Sequence, residues 1–348
     1  MFRRTDRYTA TAVARPLVPV TGVLLLVFAS LDTARTLADF ESNQLATTTL
    51  VQLVGLKTLI ALDVLLPLAL YLAAIIGLAG LHQSHQIIAL RSVGVPPVRT
   101  ALGVSMVAVG VAITAGAVSL FARPWAYNHV NALESAITSD ADISDLIADH
   151  FRLQNNGRML YARRHLENDS GIDGLVVYER SNGRSDFTLA AQARQLSEDR
   201  LLLSDTRTYS LDRRGTRDRL QQLSELTVDL RSGYGSDDTG RKALSTRDLL
   251  GSKDPVEIAE RQWRFSRPVA AVILGLAAVP LSATTPRRGP YARLVVAFIL
   301  FALYFALGDM ARSWVEQGTV PALPGLWWPH ALLALAIILT ALLRRGFR

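Results

Sequence analysis

The stretch EIAERQWRFSRPVAAVILGLAAVPLSATTPRRGPYARLVVAFIL, residues 257–300, decides what kind of protein this is. From Pro268 to Pro286 it carries no charged side chain. A helical apolar run of that length crosses the roughly 30 Å hydrocarbon core of a bilayer. The basic turn Arg287-Arg288-Gly289 follows, and a second apolar run opens after Arg293. Short cytoplasmic loops concentrate Lys and Arg, so this turn predicts a cytoplasmic loop and orients everything else. The chain reads as an integral membrane protein.

Half of the 348 residues are hydrophobic, and the charges are partitioned. Residues 126–262 hold 23 acidic and 19 basic side chains, whereas the remainder holds 7 and 18. The basic excess therefore belongs to the membrane flanks, where it sets topology and meets anionic headgroups. A nucleic-acid surface is the weaker reading, because aromatics are not interleaved with the basic residues and no recognition motif occurs. Cysteine is absent, which excludes disulfides and thiolate-bound metals. The middle region is long enough for one water-soluble core.

Outward from the opening stretch, the other spans fall into place. Arg3, Arg4 and Arg7 precede the uncharged run 16–31, read as a retained span because no small-residue cleavage pattern follows. Span two covers 58–81 and contains Pro67 and Asp63. An ionisable group within a span is a candidate functional residue, but an interfacial carboxylate reaching water or Lys57 is the preferred reading of Asp63. In 82–99, Ile87, Ile88, Leu90, Val93 and Val95 make a short amphipathic helix that Gly94 and Pro96 terminate. That face fits either docking to a partner or a helix lying among headgroups. Span three covers 100–122, and Pro124 is expected to stop it with Trp125 at the interface.

The soluble region begins with 131–152, helical or irregular. Short alternating apolar runs follow, separated by turns such as Ser181-Asn182-Gly183, and predict an antiparallel sandwich or open barrel. Residues 232–255 read as a loop. Span five ends near residue 311, with Asp309 and Arg312 on one face as a self-neutralising pair. Span six covers 326–343 and ends in Arg344 and Arg345. The expected fold is an α-helical membrane protein with six transmembrane helices and an inserted antiparallel β domain. Its divisions are 1–125, 126–262 and 263–348, with both termini cytoplasmic.

No P-loop, HExxH or GxSxG spacing occurs. His82 and His85 lie close together but read as ordinary polar residues rather than metal ligands. The expectation is therefore no catalytic residue, no metal and no cofactor; any energy for work comes from another subunit.

The residues that remain are specific. AERQWRFSRPVAAVILGLAAVPLSATTPRRGP (259–290) contains Trp263-Arg264, Val279-Pro280-Leu281-Ser282 and Pro286-Arg287-x-Gly289. With LLPLALYL (65–72), ALRSVGV (89–95) and ARPW (122–125), it resembles the lipopolysaccharide-export permeases of the LptF/LptG family, the F branch in particular, over essentially the whole chain. The resemblance implies one half of an inner-membrane ABC transporter that extracts lipopolysaccharide. It implies as partners an LptG-like permease, two copies of a cytoplasmic LptB-like ATPase that binds the ATP, and LptC-like and LptA-like periplasmic β-jellyroll proteins. Residues 126–262 would be a jellyroll of the same kind. The segment 84–95 would be a coupling helix seated on the ATPase through Gln86, Ile87, Leu90, Arg91 and Gly94. Gln86 stands where the family usually has a glutamate.

Lipid contacts are expected at Phe28, Arg35, Arg264 and Arg312. For Arg35, a guanidinium on a lipid phosphate and an ordinary interfacial arginine both remain open. Two other functions compete: a mechanotransmitting ABC subunit, whose members usually have four spans, and a membrane-anchored scaffold, which has no need of the amphipathic helix.

Overall fold

The computed structural model describes residues 4–39, 47–139, 151–153, 159–165, 171–181, 184–197, 200–212, 219–229, 240–282 and 292–346. The basic turn 287–289 lies outside them. The helices are α1 (Arg4–Asp39), α2 (Thr47–Gln83), α3 (Gln86–Ser92), α4 (Pro97–Ala117), α5 (Arg123–Ser139), α6 (Thr246–Leu250), α7 (Pro255–Ser282), α8 (Ala292–Glu316) and α9 (Trp327–Gly346). Among the described residues, five helical stretches are long and apolar enough to cross a membrane: α1, α2, the continuous helix 98–134, α7 and α8. The sixth expected span, α9, has a shorter apolar run, Trp328–Thr340.

The chain divides into two units. One comprises Met1–Thr36, Val54–Ala126 and Leu244–Arg348; the other comprises Leu37–Leu53 and Tyr127–Ala243. Residues 244–262 thus group with the helices, although the sequence pattern assigns them to the soluble region.

Small residues set the helix packing. The core of the helical unit joins Leu70, Tyr71, Ala74 and Leu78 of α2 to Val104 and Ala108 of α4 and to Ala271, Leu274 and Ala277 of α7. Alanine and glycine let backbones approach where lipid offers no hydrophobic drive. Gly77 is the closest case: a Cβ there would lie 2.2 Å from the carbonyl oxygen of Ala12. On α4, a Cβ at Gly103 would meet the Thr9 hydroxyl at 1.8 Å. These two glycines seat the base of α1 against α2 and α4.

Pro124 does not stop its helix. The chain passes from α4 through a π-helical turn, Val118–Ala122, directly into α5. Proline removes the donor to the carbonyl four residues back, here Leu120. The Thr246 hydroxyl donates to that carbonyl instead, at 2.8 Å. Thr246 opens α6, a helix inside the stretch expected to be a loop, and Ser245 caps it by accepting from the Asp248 amide.

The β unit is one six-stranded antiparallel sheet, ordered β1 (Phe151–Leu153), β2 (Met159–His165), β3 (Gly171–Ser181), β4 (Arg184–Ser197), β5 (Arg200–Asp212) and β6 (Arg219–Asp229). Each strand pairs with the next in sequence, so the described strands form a meander. Ile172, Ala193, Leu203 and Leu226 make one cross-strand row, and Leu175, Ala190, Thr206 and Leu223 make another. Residues three apart on a strand point to opposite faces, yet Ile172 and Leu175 belong to a single buried cluster. Between the rows, Gly174 has φ 73° and Asp205 φ 51°. These positive values crease the sheet, so that Leu175 and Ala190 of the second row join Ile172, Ala193 and Leu203 of the first in one small core, while Leu223 stays exposed.

Candidate functional site

Three regions of the helical unit collect the residues of interest. The first surrounds α3. Gly94, at φ 84°, ends that helix: its amide donates to the Arg91 carbonyl, and the Val95 amide donates to the Leu90 carbonyl. This is the paired-bond stop that glycine in the left-handed region makes possible. Ile87 is buried in the helical core. It therefore seats α3 on its own chain rather than facing outward, which corrects its expected place on a docking surface. Leu90 is half-buried, while Arg91 and Gly94 are exposed. Gln86 is drawn toward α1, its side-chain carbonyl accepting a hydrogen bond from the Tyr8 hydroxyl. The outward apolar residues are Ile88 and Val93, 56% and 75% exposed. Nearby, the buried carboxylate of Asp6 pairs with Arg99 at 3.2 Å.

The second region is an apolar cavity of about 580 Å³ between α1, α2 and α8. Pro19, Val20, Val23 and Leu24 line it from α1, Leu72 and Ile76 from α2, and Leu294, Val295, Phe298 and Ile299 from α8.

The third region lies at the opposite ends of the spans. Asp63 stands twenty residues before the end of α2, about 30 Å along the helix. It is buried, which overturns the preferred interfacial reading. Its carboxylate accepts from Trp263 Nε1 at 3.2 Å and lies 3.7 Å from Arg123 Nε. Arg123 in turn donates through Nη1 to Glu260 at 2.5 Å. Glu260 also receives Arg264 Nε at 3.0 Å and has Arg312 Nη2 at 3.4 Å. Arg312 is paired with Glu316 at 2.7 Å, so its partners are Glu316 and Glu260 rather than Asp309. The Arg267 guanidinium lies over the Trp263 ring, 3.7 Å from its centroid, and that of Arg312 lies 5.0 Å from it. Four guanidinium groups thus surround three carboxylates and one indole.

Two expected lipid contacts belong to this network. Arg264 is fully buried, and beyond Glu260 it donates to the Leu244 carbonyl and to Thr246 Oγ1, each at 3.0 Å. Its guanidinium is occupied by its own chain, and Arg312 is largely so. Arg35 is exposed and Phe28 half-buried, two helical turns apart on α1. The sequence reading gave Arg123 and Glu260 no role, although both lie in the motifs 122–125 and 259–290 that carry the family resemblance.

An inserted antiparallel sheet, membrane-length apolar helices and an inward-packed polar cluster at their ends define a multi-pass membrane protein. The chain belongs to the lipopolysaccharide export system permease LptF/LptG family, whose model matches residues 7–345. It is 21% identical, over 345 residues, to the lipopolysaccharide export system permease protein LptF of Escherichia coli K12, covering 96% of this chain and 93% of that protein. The LptF protein of Shigella flexneri matches to the same extent. The chain is thus LptF-like within a family of lipopolysaccharide export permeases.

Proposed function

We propose that this chain is the F-type half of an ATP-driven exporter in a bacterial inner membrane. It pairs with an LptG-like permease above two copies of an LptB-like ATPase, extracts lipopolysaccharide, and passes it to LptC-like and LptA-like jellyroll proteins. Both termini and α3 face the cytoplasm and the β unit faces the periplasm, in keeping with basic residues at Arg4, Arg7, Arg91, Arg99, Arg344 and Arg345. Among the described strands β6 stands at the edge of the sheet, a position suited to sheet continuation by a neighbouring jellyroll. The observation that carries the reading is α3, anchored inward by Ile87 while Ile88 and Val93 face out between two spans. An apolar surface held rigidly on a linker suits a protein partner that moves.

The experiment is co-purification from a strain expressing the chain with its ATPase and permease partners, followed by ATP-dependent release of lipopolysaccharide from reconstituted vesicles. Single-cysteine labelling fixes the sidedness, since the native chain has none. Absence of an ATPase from the purified complex, or labelling of a cysteine at Asp205 only from the cytoplasmic side, would overturn it.

A further inference from the structure

Arg267 stands apart from the other guanidinium groups of the network. Arg123, Arg264 and Arg312 each pair with a carboxylate. Arg267 makes no hydrogen bond or ion pair with the described residues, and its Nε is sealed without a partner. Its guanidinium face lies on the Trp263 ring. Asp63, the carboxylate whose field reaches it, is already held by Trp263 and Arg123.

The charge balance is uneven for the same reason. Among the described residues, the buried members of the network are Arg123, Arg264 and Arg267 against Asp63 and Glu260. Arg312 and Glu316 form a neutral pair at the rim. Arginine keeps its proton, and a buried charge is strongly unfavourable unless it is paired and hydrogen-bonded. The ring face offsets part of that cost but leaves the in-plane N–H donors unused.

A second donor lies beside it. α7 and α8 run antiparallel, with Glu260 against Arg312 and Trp263 against Phe305. Arg267 is seven residues beyond Glu260 and Tyr304 is eight before Arg312. Both therefore stand about 10–12 Å further into the bundle, at one depth. The Tyr304 hydroxyl is sealed with no hydrogen-bond partner and lies within electrostatic reach of Arg267. From α9, His330 packs its ring 5.7 Å from that of Tyr304 and holds the Ser266 carbonyl through Nε2.

We infer that Arg267 and Tyr304 form a site for one small monovalent anion of the halide class, held between α7 and α8. The guanidinium N–H and the phenol O–H both donate, an anion accepts from both, and one negative charge balances the surplus. A divalent anion would overcompensate it in the field of Asp63. A lipid phosphate would bring its glycerol and chains to a side chain that is 6% exposed. The ion is a fixed counter-charge that ties two spans together, and its presence does not depend on the export reading.

The test measures radiolabelled chloride bound to the full-length chain, purified from membranes into nanodiscs. The wild type is expected to hold one equivalent more than Arg267→Met, in which an apolar side chain replaces the buried charge. Tyr304→Phe keeps the ring and the charge of the site and is expected to weaken binding about tenfold, the effect of one hydrogen bond to a charged group. Exchanging chloride for gluconate, a far larger anion, removes a ligand of the folded state. It is expected to lower the thermal midpoint of the wild type and leave that of Arg267→Met unchanged. Equal chloride content in wild type and Arg267→Met, or a wild-type midpoint indifferent to gluconate, means that water fills the site and overturns the inference. Should Arg267→Met fail to fold, Tyr304→Phe decides, and an unchanged chloride affinity there overturns it as well. Displacement of the label by phosphatidylglycerol or lipopolysaccharide would assign Arg267 to a lipid headgroup and sink the small-ion site.

Discussion

Arg123 and Glu260 lie 137 residues apart in sequence and meet at 2.5 Å, both buried. Glu260 is the shared counter-charge of Arg123, Arg264 and Arg312. Burying these groups is costly, so the pair is poor evidence of added stability over an apolar core, whereas removing one member leaves an uncompensated charge.

Glu260→Gln is therefore expected to destabilise the helical unit by about 3–5 kcal/mol, read as a lower thermal midpoint of the purified complex. The double variant Arg123→Leu with Glu260→Leu is expected to cost less than the sum of the single changes, because it removes both charges. A midpoint unchanged by Glu260→Gln, or strict additivity in the double variant, contradicts this account of the network.

The base of α1 supplies a second prediction. Gly77→Ala places a methyl group 2.2 Å from the Ala12 carbonyl oxygen, a backbone atom that moves only with its helix. Overpacking of this kind costs about 1–3 kcal/mol. Gly80→Ala, three residues further along α2, meets nothing within 4 Å and serves as the control. The midpoint is expected to fall for Gly77→Ala and hold for Gly80→Ala. Equal effects from the two would remove the close approach as the cause.

What could be read from the sequence divides along physical lines. Uncharged runs announce spans because hydrocarbon tolerates little else, and Gly94 announces its turn because few other residues accept that φ. The β runs were visible as alternation, but the crease at Gly174 and Asp205 was not, since it interrupts the alternation partway along β3 and β5. Pro124 misled for a local reason with a distant remedy: its lost donor is replaced by Thr246, 126 residues ahead of Leu120. Asp63 misled in the same way, as its partners Arg123 and Trp263 belong to other helices. Arg264 and Arg312 looked like rim cations because the acid that holds them, Glu260, seemed to belong to the soluble region.

The α3 surface gives the third prediction. Val93→Asp changes a side chain that is three-quarters exposed, so it is expected to leave the thermal midpoint alone and to lower ATPase co-purification severalfold. Ile87→Asp buries a carboxylate in the helical core and is expected to lower both. Gly94→Val strains the left-handed turn by about 1–2 kcal/mol and should reduce ATPase capture. Gln86→Glu retains an acceptor for Tyr8 with a stronger, charge-assisted bond, so capture should persist or rise. Wild-type capture by Val93→Asp would remove α3 as the docking surface.

The last prediction separates Arg35 from Arg312, which the sequence treats alike. Both stand at the end of a span opposite α3, and both could present a guanidinium to the phosphates of lipopolysaccharide. Arg312 is committed to Glu316 and Glu260 and covers Trp263, so Arg312→Glu sets like charges together and is expected to lower the thermal midpoint. Arg35 is exposed, beyond the half-buried Phe28 on the same helix. Substitution there should leave the midpoint unchanged and act on lipid alone. Arg35→Gln is expected to reduce lipopolysaccharide capture by about fivefold, the effect of one basic residue at an anionic surface. Arg35→Glu should reduce it further. Arg35→Lys keeps the charge and loses only the planar fork, so its effect should be the smallest. Basal ATP hydrolysis should not change in any of the three, since α1 runs about a full membrane thickness between Arg35 and Arg15. A photoreactive residue at 35 should capture lipopolysaccharide directly. Normal export by Arg35→Glu, with no capture at that position, would leave Arg35 as an interfacial arginine and move lipid entry elsewhere on the molecule.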